Sequence, residues 1–331
     1  MPRLVRNSAI LAKIETTIGT DPTPTVGSNA VLISNLSCQP LNSSNIDRSL
    51  IRSYFGASEQ IVGSSHTMIS FDVEFQSSGS MTTPTIPAWD ALLQACGYVA
   101  GVGSAGVSVT YDLQSTYSSN KTVTIYYYDD GVLHKLLGAR GKVSINANIG
   151  ERPTFSFSFM GLYGGVSAAS NGALTLSTYM TPLAITDVNT GAMTLGCTYS
   201  AGALSSGTEY VSAGVSLDLG NVVNFTDLLG TAALAGQSID YVDRQASGSI
   251  KFDLTAANEV TFMGYVTAMT TLSLGFVHGT TAGYKMLVFC PKVQFVNPSK
   301  QEINGRRLIG FDLRVLPSAS GGNDEIKIVA L

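Results

Sequence analysis

Apolar and polar residues alternate with a period of two through most of the 331-residue chain. In PTFSFSFMG, Phe155, Phe157 and Phe159 fall on one side and Thr154, Ser156 and Ser158 on the other, the pattern of a half-buried strand. RRLIGFDLRVL repeats it, with Ile309, Phe311, Leu313 and Val315 opposite Leu308, Gly310, Asp312 and Arg314. A further strand precedes each, KVSINAN in one case and KVQFVNP in the other. Both of those have hairpin partners: TVTIYYY turns through Asp129-Asp130-Gly131 into VLHKLL, and LSLGFVH turns through Gly279 to Gly283 into YKMLVF. Two segments break the alternation with helical spacing, WDALLQACGY from Trp89 and NEVTFMGYV from Asn258. The expectation is a mainly β protein with two helices.

The pattern is written twice. KLLGARGKV at 135–143 shares Lys, Leu, Lys and Val with KMLVFCPKV at 285–293, an offset of 150 (285 minus 135). Upstream, SFDVEF (70–75) echoes KFDLTA (251–256), placing Phe71-Asp72 over Phe252-Asp253 and Leu36 over Leu217, an offset of 181 (252 minus 71). Extra residues in the first copy, SSGSMTTPTIP and GVGSAG, account for the change of offset. The chain therefore divides into an N-terminal arm (1–29), a first module (30–165), a linker (166–175), a second module (176–317) and a C-terminal segment (318–331). The stretch around the linker, GGVSAASNGALT, has side chains too small to build a core. This length allows two separate cores, whereas two copies are too few for a solenoid.

Composition narrows the role. Charged residues make up 13% of the chain, about half the ~25% of ordinary soluble proteins, as suits a subunit whose surface is covered by neighbours. A net charge of −4 and the lack of any Lys/Arg run argue against tight nucleic-acid binding, which needs a basic stripe to displace phosphate counterions. The four cysteines (Cys38, Cys96, Cys197, Cys290) form no CxxC pair and read as buried thiols. Lys13 and Glu15 interrupt the only short apolar piece near the start, so no signal peptide is expected, and synthesis in the cytoplasm follows. The uncharged stretch from Ala91 to Tyr111 carries four glycines and is a poor spanning helix.

Candidate chemistry is sparse. GVGSAG (101–106) matches G-x-G-x-x-G, but a helix precedes it and a strand follows, the reverse of the order that brings backbone amides to a pyrophosphate. His66, His134 and His278 are isolated, without partners at metal-ligand spacing. Asp129 and Asp130 read as a solvated turn rather than a catalytic pair. No enzyme, cofactor or metal is expected. Two long segments lack a strand pattern: NIDRSLIRSYFGASEQIVG (45–63) and NVVNFTDLLGTAALAGQSIDYVDRQ (221–245). Their aromatic, aliphatic and single charged residues, Ile51, Arg52, Tyr54, Phe55, Phe225, Asp227, Leu228, Tyr241, Asp243 and Arg244, are the candidate contacts between subunits or rings.

AKIETTIGTDPTPT (12–25), DGVLHKLLGARGKV, PTFSFSFMGLYGG, SLDLGN, YVDRQASGSIKFDLTAANEV and GFDLRVLP resemble segments of the tail tube (major tail) proteins of long, flexible-tailed bacteriophages, in a duplicated-module form. The resemblance spans nearly the whole chain, and its motifs are structural. It implies tandem tail-tube-like β-sandwich modules, each with one flanking helix and long loops, that self-assemble into stacked rings. It also implies a virion tail assembled in the host cytoplasm, other tail proteins at the tube ends, DNA passing with weak nonspecific contact, and no membrane partner. If a ring needs six modules, three such chains complete it with pseudo-sixfold symmetry. The long loops and the arm (1–28) are expected to carry contacts between rings. A rival reading is a carbohydrate-binding or adhesive β-sandwich protein with Trp89 stacking on a sugar, although a tryptophan in a helix candidate is better explained by core packing.

Overall fold

The structure, a computed structural model, describes residues 3–77, 86–102, 108–116, 120–176, 179–230 and 236–331. Most of GVGSAG and of SSGSMTTPTIP lies outside the described residues. The protein is mainly β, with two helices among the described residues. The first half contains β1 (Ser8–Ile14), β2 (Ala30–Val31), β3 (Ser34–Ile46), β4 (Ile61–Glu74), α1 (Asp90–Gln94), β5 (Tyr98–Val102), β6 (Val109–Leu113), β7 (Val123–Asp129), β8 (Val132–Asn148) and β9 (Thr154–Ala168). The second contains β10 (Met193–Leu195), β11 (Thr198–Ser200), β12 (Ala203–Ser205), β13 (Thr208–Tyr210), β14 (Ser212–Asp218), β15 (Asn221–Asp227), β16 (Gln237–Arg244), β17 (Ser247–Phe252), α2 (Ala256–Thr267), β18 (Thr271–His278), β19 (Met286–Ile303), β20 (Arg306–Val315) and β21 (Lys327–Ala330).

Both halves run through the same antiparallel order. In the first, pairing proceeds β2–β1–β7–β8–β9–β4–β3. In the second it proceeds β13–β10–β18–β19–β20–β17–β14. The alternating phenylalanines behave as their pattern dictates: Phe155, Phe157 and Phe159 are buried, as are Phe311, Leu313 and Val315. The β7–β8 turn places Asp130 and Gly131 at positive φ (41° and 91°), the geometry that suits the right-handed twist of a two-residue hairpin.

Several boundaries differ from the sequence reading. Residues 8–14 are no arm: β1 is an interior strand paired with β7, and Ile10 and Leu11 are fully buried. Its contiguous apolar run, AILA, suits a strand covered on both sides. The first part of the supposed linker continues β9 as far as Ala168, opposite Val132. The Phe-Asp echo is not in matching register with the nonapeptide echo. From Val143 the ladder crosses Phe157 to Phe71; from Val293 it crosses Val315 to Ala246, six residues short of Phe252.

The halves do not build two separate cores. One contiguous cluster of buried residues runs through both, from Phe71, Trp89 and Phe155 to Phe252, Phe262 and Phe295. Two seams make it continuous. Ser144–Asn148 of β8 pair with Gly214–Asp218 of β14, and β21 inserts between β6 of the first half and β19 of the second. Each helix covers its own half. Trp89, at the head of α1, lies against Tyr111 and Phe155 and donates its indole N–H to the Gln76 carbonyl at 2.9 Å. That settles it as core rather than a sugar platform. Thr255 caps α2 by accepting from the Asn258 amide, and Phe262 sits among Phe252, Phe295 and Phe311.

Candidate assembly surface

The two long segments end up in different circumstances. In place of a loop, Asn221–Asp227 and Gln237–Arg244 pair as the strands β15 and β16 of a hairpin, with Phe225 opposite Ile239 and Val223 opposite Tyr241. This hairpin lies across the first half of the chain. Asn221 donates its amide to the Cys96 carbonyl at 2.8 Å and to the Gly141 carbonyl at 3.2 Å. Tyr241 donates its hydroxyl to the Ala95 carbonyl, and burial pushes its phenol pKa well up. From below, Arg140 (1% exposed) donates to the Ile239 carbonyl at 2.7 Å and to the Asp240 carboxylate at 3.2 Å, with its guanidinium 5.6 Å from the Tyr241 ring. Arg244 pairs with Glu325 at 3.0 Å and with Asn323 at 3.1 Å, and Phe225 stands 5.0 Å from the His66 ring. Asp243 accepts from the Arg244 amide and the Gln245 side chain, and Asp227 accepts from Gln237, both inside the hairpin. Among its described residues, Leu228 and Leu229 near the tip are the most exposed apolar side chains, ahead of Val242 and Val222.

Residues 45–63 form the far end of the β3–β4 hairpin, and nothing among the described residues covers them. Ile51 and Phe55 are fully exposed, Tyr54 is 66% exposed, and Ile46, Ile61 and Val62 also face solvent. The tip is organised by polar contacts of its own: Arg48 and Arg52 flank Glu59, and Arg52 lies 5.7 Å from the Tyr54 ring. Of the ten residues picked from sequence, Tyr241, Arg244 and Phe225 thus engage their own chain. Ile51, Tyr54, Phe55 and Leu228 present apolar surface outward.

A second feature escaped the sequence. One row of registered residues crosses eight strands: Ser34, Asp72, Ser156, Ser144, Asp218, Ser247, Arg314, Gln294. None is buried. Serines separate charges of both signs, so the face carries neither a basic stripe nor a strong acidic field. The signal was present as the polar phase of each alternating strand, but only the pairing registers assemble it. At both ends of this row the sheet is open. Among the described residues, β3 pairs with β4 alone, and β19 beyond Gln294 pairs with β20 alone.

The three histidines are partly or wholly buried, and burial lowers each pKa. They stand apart: His278 meets Thr190, His134 stacks on Tyr127, and His66 meets Asn42. Cys96, Cys197 and Cys290 are buried and Cys38 is half-buried, all as free thiols. No helix among the described residues is long and apolar enough to cross a membrane.

A mainly β subunit with open sheet edges and an unpartnered apolar hairpin is a structural building block. The comparisons with known proteins agree: a family model for phage tail tube proteins matches residues 6–325. The chain belongs to that family, which is structural and not enzymatic, and it is accordingly a component of the virion tail. No curated protein matches the chain.

Proposed function

We propose that this tail tube protein is a duplicated module, three copies of which close a ring with true threefold and approximate sixfold symmetry, and that the rings stack into the conduit for DNA ejection. The observation that carries this reading is the β8–β14 seam. Beyond Lys142, β8 turns its edge to β14. At the equivalent place 150 residues on, β19 beyond Gln294 has an open edge, and β3 offers an open edge where β14 is occupied. Joining β19 of one chain to β3 of the next repeats the internal seam between chains. Open edges pair or aggregate, and a head-to-tail contact that closes by rotation gives a ring. The serine-rich row then runs round the inside as the DNA-facing surface.

In this reading the exposed tips, Ile51, Arg52, Tyr54, Phe55, Asp227 and Leu228, meet the neighbouring ring. Other tail proteins cap the ends, and assembly takes place in the host cytoplasm. Weak, sequence-independent DNA contact follows from a net charge of −4 and the mixed signs of the row. Electron microscopy of the concentrated purified protein tests the proposal: tubes with three chains per ring are expected, and six chains per ring would refute the duplication. Tight duplex binding at ~150 mM salt, where nonspecific binders are weak, would refute the sliding surface.

A further inference from the structure

The seat of the β15–β16 hairpin has a counterpart that nothing among the described residues fills. The occupied seat consists of the residues after α1 (Ala95, Cys96), the β8 segment Arg140–Lys142, and β9 beside it, where Ser158 pairs with Lys142. In the second half, β19 supplies Cys290–Lys292, Leu316 donates its amide to the Lys292 carbonyl at 2.8 Å, and Thr271 follows α2. These residues border an open groove of about 580 Å³, lined by Tyr199, Thr271, Leu272, Pro291, Lys292 and Ser318.

We infer that this groove seats the β3–β4 hairpin of a second copy of the chain, beside the β19–β3 edge pairing on which the inference rests. The chain's own β3–β4 hairpin is too far away: β3 and β19 end the eight-strand row, and seven spacings of about 4.8 Å put them on the order of 30 Å apart along the sheet. The chemistry of the two seats matches their two hairpins. Arg140, four residues before the row member Ser144, meets Asp240, seven residues before the row member Ser247. Counting identically, Cys290 stands four residues before Gln294, and Ser65 seven residues before Asp72. The seat with a guanidinium at this position receives the hairpin with a carboxylate, and the seat with Cys290 there would receive the hairpin with Ser65, so no unpaired charge is buried at this position in either.

Engineered cysteines test the placement. Val222, four residues after Asp218, lies opposite Asp243 and shares a cavity wall with Lys142. Because β3 carries a bulge after Ser34, the matching position opposite Met68 is Gln39, which is exposed and should therefore approach Lys292 of the next copy. In assembled protein carrying Cys38→Ser, Gln39→Cys and Lys292→Cys, copper-catalysed oxidation or a short bifunctional maleimide should link chain to chain, and restoring either Gln39 or Lys292 should abolish the link. For the unmodified protein, amides at 271–273, 289, 290 and 292 should exchange about tenfold more slowly in tubes than in free subunits. Normal tubes with neither the link nor the protection overturn the seat and leave the ring standing. A wild-type protein that never assembles overturns the ring reading and the seat with it.

Discussion

The two long hairpins of this molecule start from similar material and meet opposite fates. β15–β16 is tied down at its base by Asn221, Tyr241, Arg140 and Arg244, and is most exposed near its tip. The β3–β4 hairpin extends with Ile46, Ile51, Tyr54, Phe55 and Val62 in solvent. The difference lies in position rather than composition. The second hairpin has half a chain beside it, and the first stands at the end of the sheet. An apolar segment left over at a sheet end is therefore what the proposed ring would offer to the next copy.

The largest effect expected from this contrast is on assembly. Tyr54→Ser with Phe55→Ser should leave the denaturation midpoint of the subunit nearly unchanged, within ~0.5 kcal/mol as for surface substitutions. The same variant should not polymerise. Sedimentation and negative-stain images check both statements, and normal tubes would remove the first hairpin from the interface.

Second in size is the clasp. Arg140→Met keeps the volume of the side chain but leaves the Ile239 carbonyl and Asp240 without their buried donor. Removing one member of a buried pair costs about 3–5 kcal/mol. Because Asp240 is partly exposed, the lower end, about 3 kcal/mol, is expected from urea titration of free subunits. A neutral result would mean that the second hairpin is held by its apolar contacts alone, and the two hairpins would then be more alike than their partners suggest.

Third, Tyr241→Phe deletes a single hydroxyl at the same base. The Ala95 carbonyl keeps the Gly141 amide at 3.1 Å as a donor, so the loss is that of one hydrogen bond, about 1 kcal/mol. If this variant were as damaging as Arg140→Met, the tyrosine and not the arginine would be the anchor.

How much of this could be read beforehand depends on what each segment packs against. The strands with one buried face, such as β9 and β20, announce themselves through alternating Phe and Ser. β15 does not, because Val222 and Val223 lie side by side and its inward face meets polar carbonyls as well as apolar groups. β21 was legible in principle: IKIVAL is a short apolar run after a Gly-Gly turn. It fell in a segment set aside as a tail because its two partners, β6 and β19, are remote in sequence. Arg140 gave no signal at all, since a lone arginine in a strand reads as surface until a carbonyl 99 residues away is brought to it. The tip residues of the first hairpin were readable as exposed apolar positions for the opposite reason: nothing among the described residues covers them.

The smallest expected effect compares the histidines that flank the β7–β8 and β18–β19 turns. His278 is nearly inaccessible (2% exposed), held by Thr190 at 2.8 Å. Burial lowers its pKa, with a backbone hydrogen bond at Leu183 pulling the other way. His134 is only partly buried; burial lowers its pKa too, while the Asp129 carboxylate raises it. A histidine whose folded pKa lies below its unfolded value binds fewer protons in the folded state across the interval between them, so stability there rises with pH. The contribution is complete above the unfolded value near 6.5 and declines as pH falls below it. Unfolding free energies of subunits between pH 5 and 7.5 should therefore fall on acidification. His278→Asn should flatten that slope more than His134→Asn, whatever either does to stability at pH 7.5. Equal slopes in the two variants would show that the carboxylate beside the first turn does not distinguish the two sites.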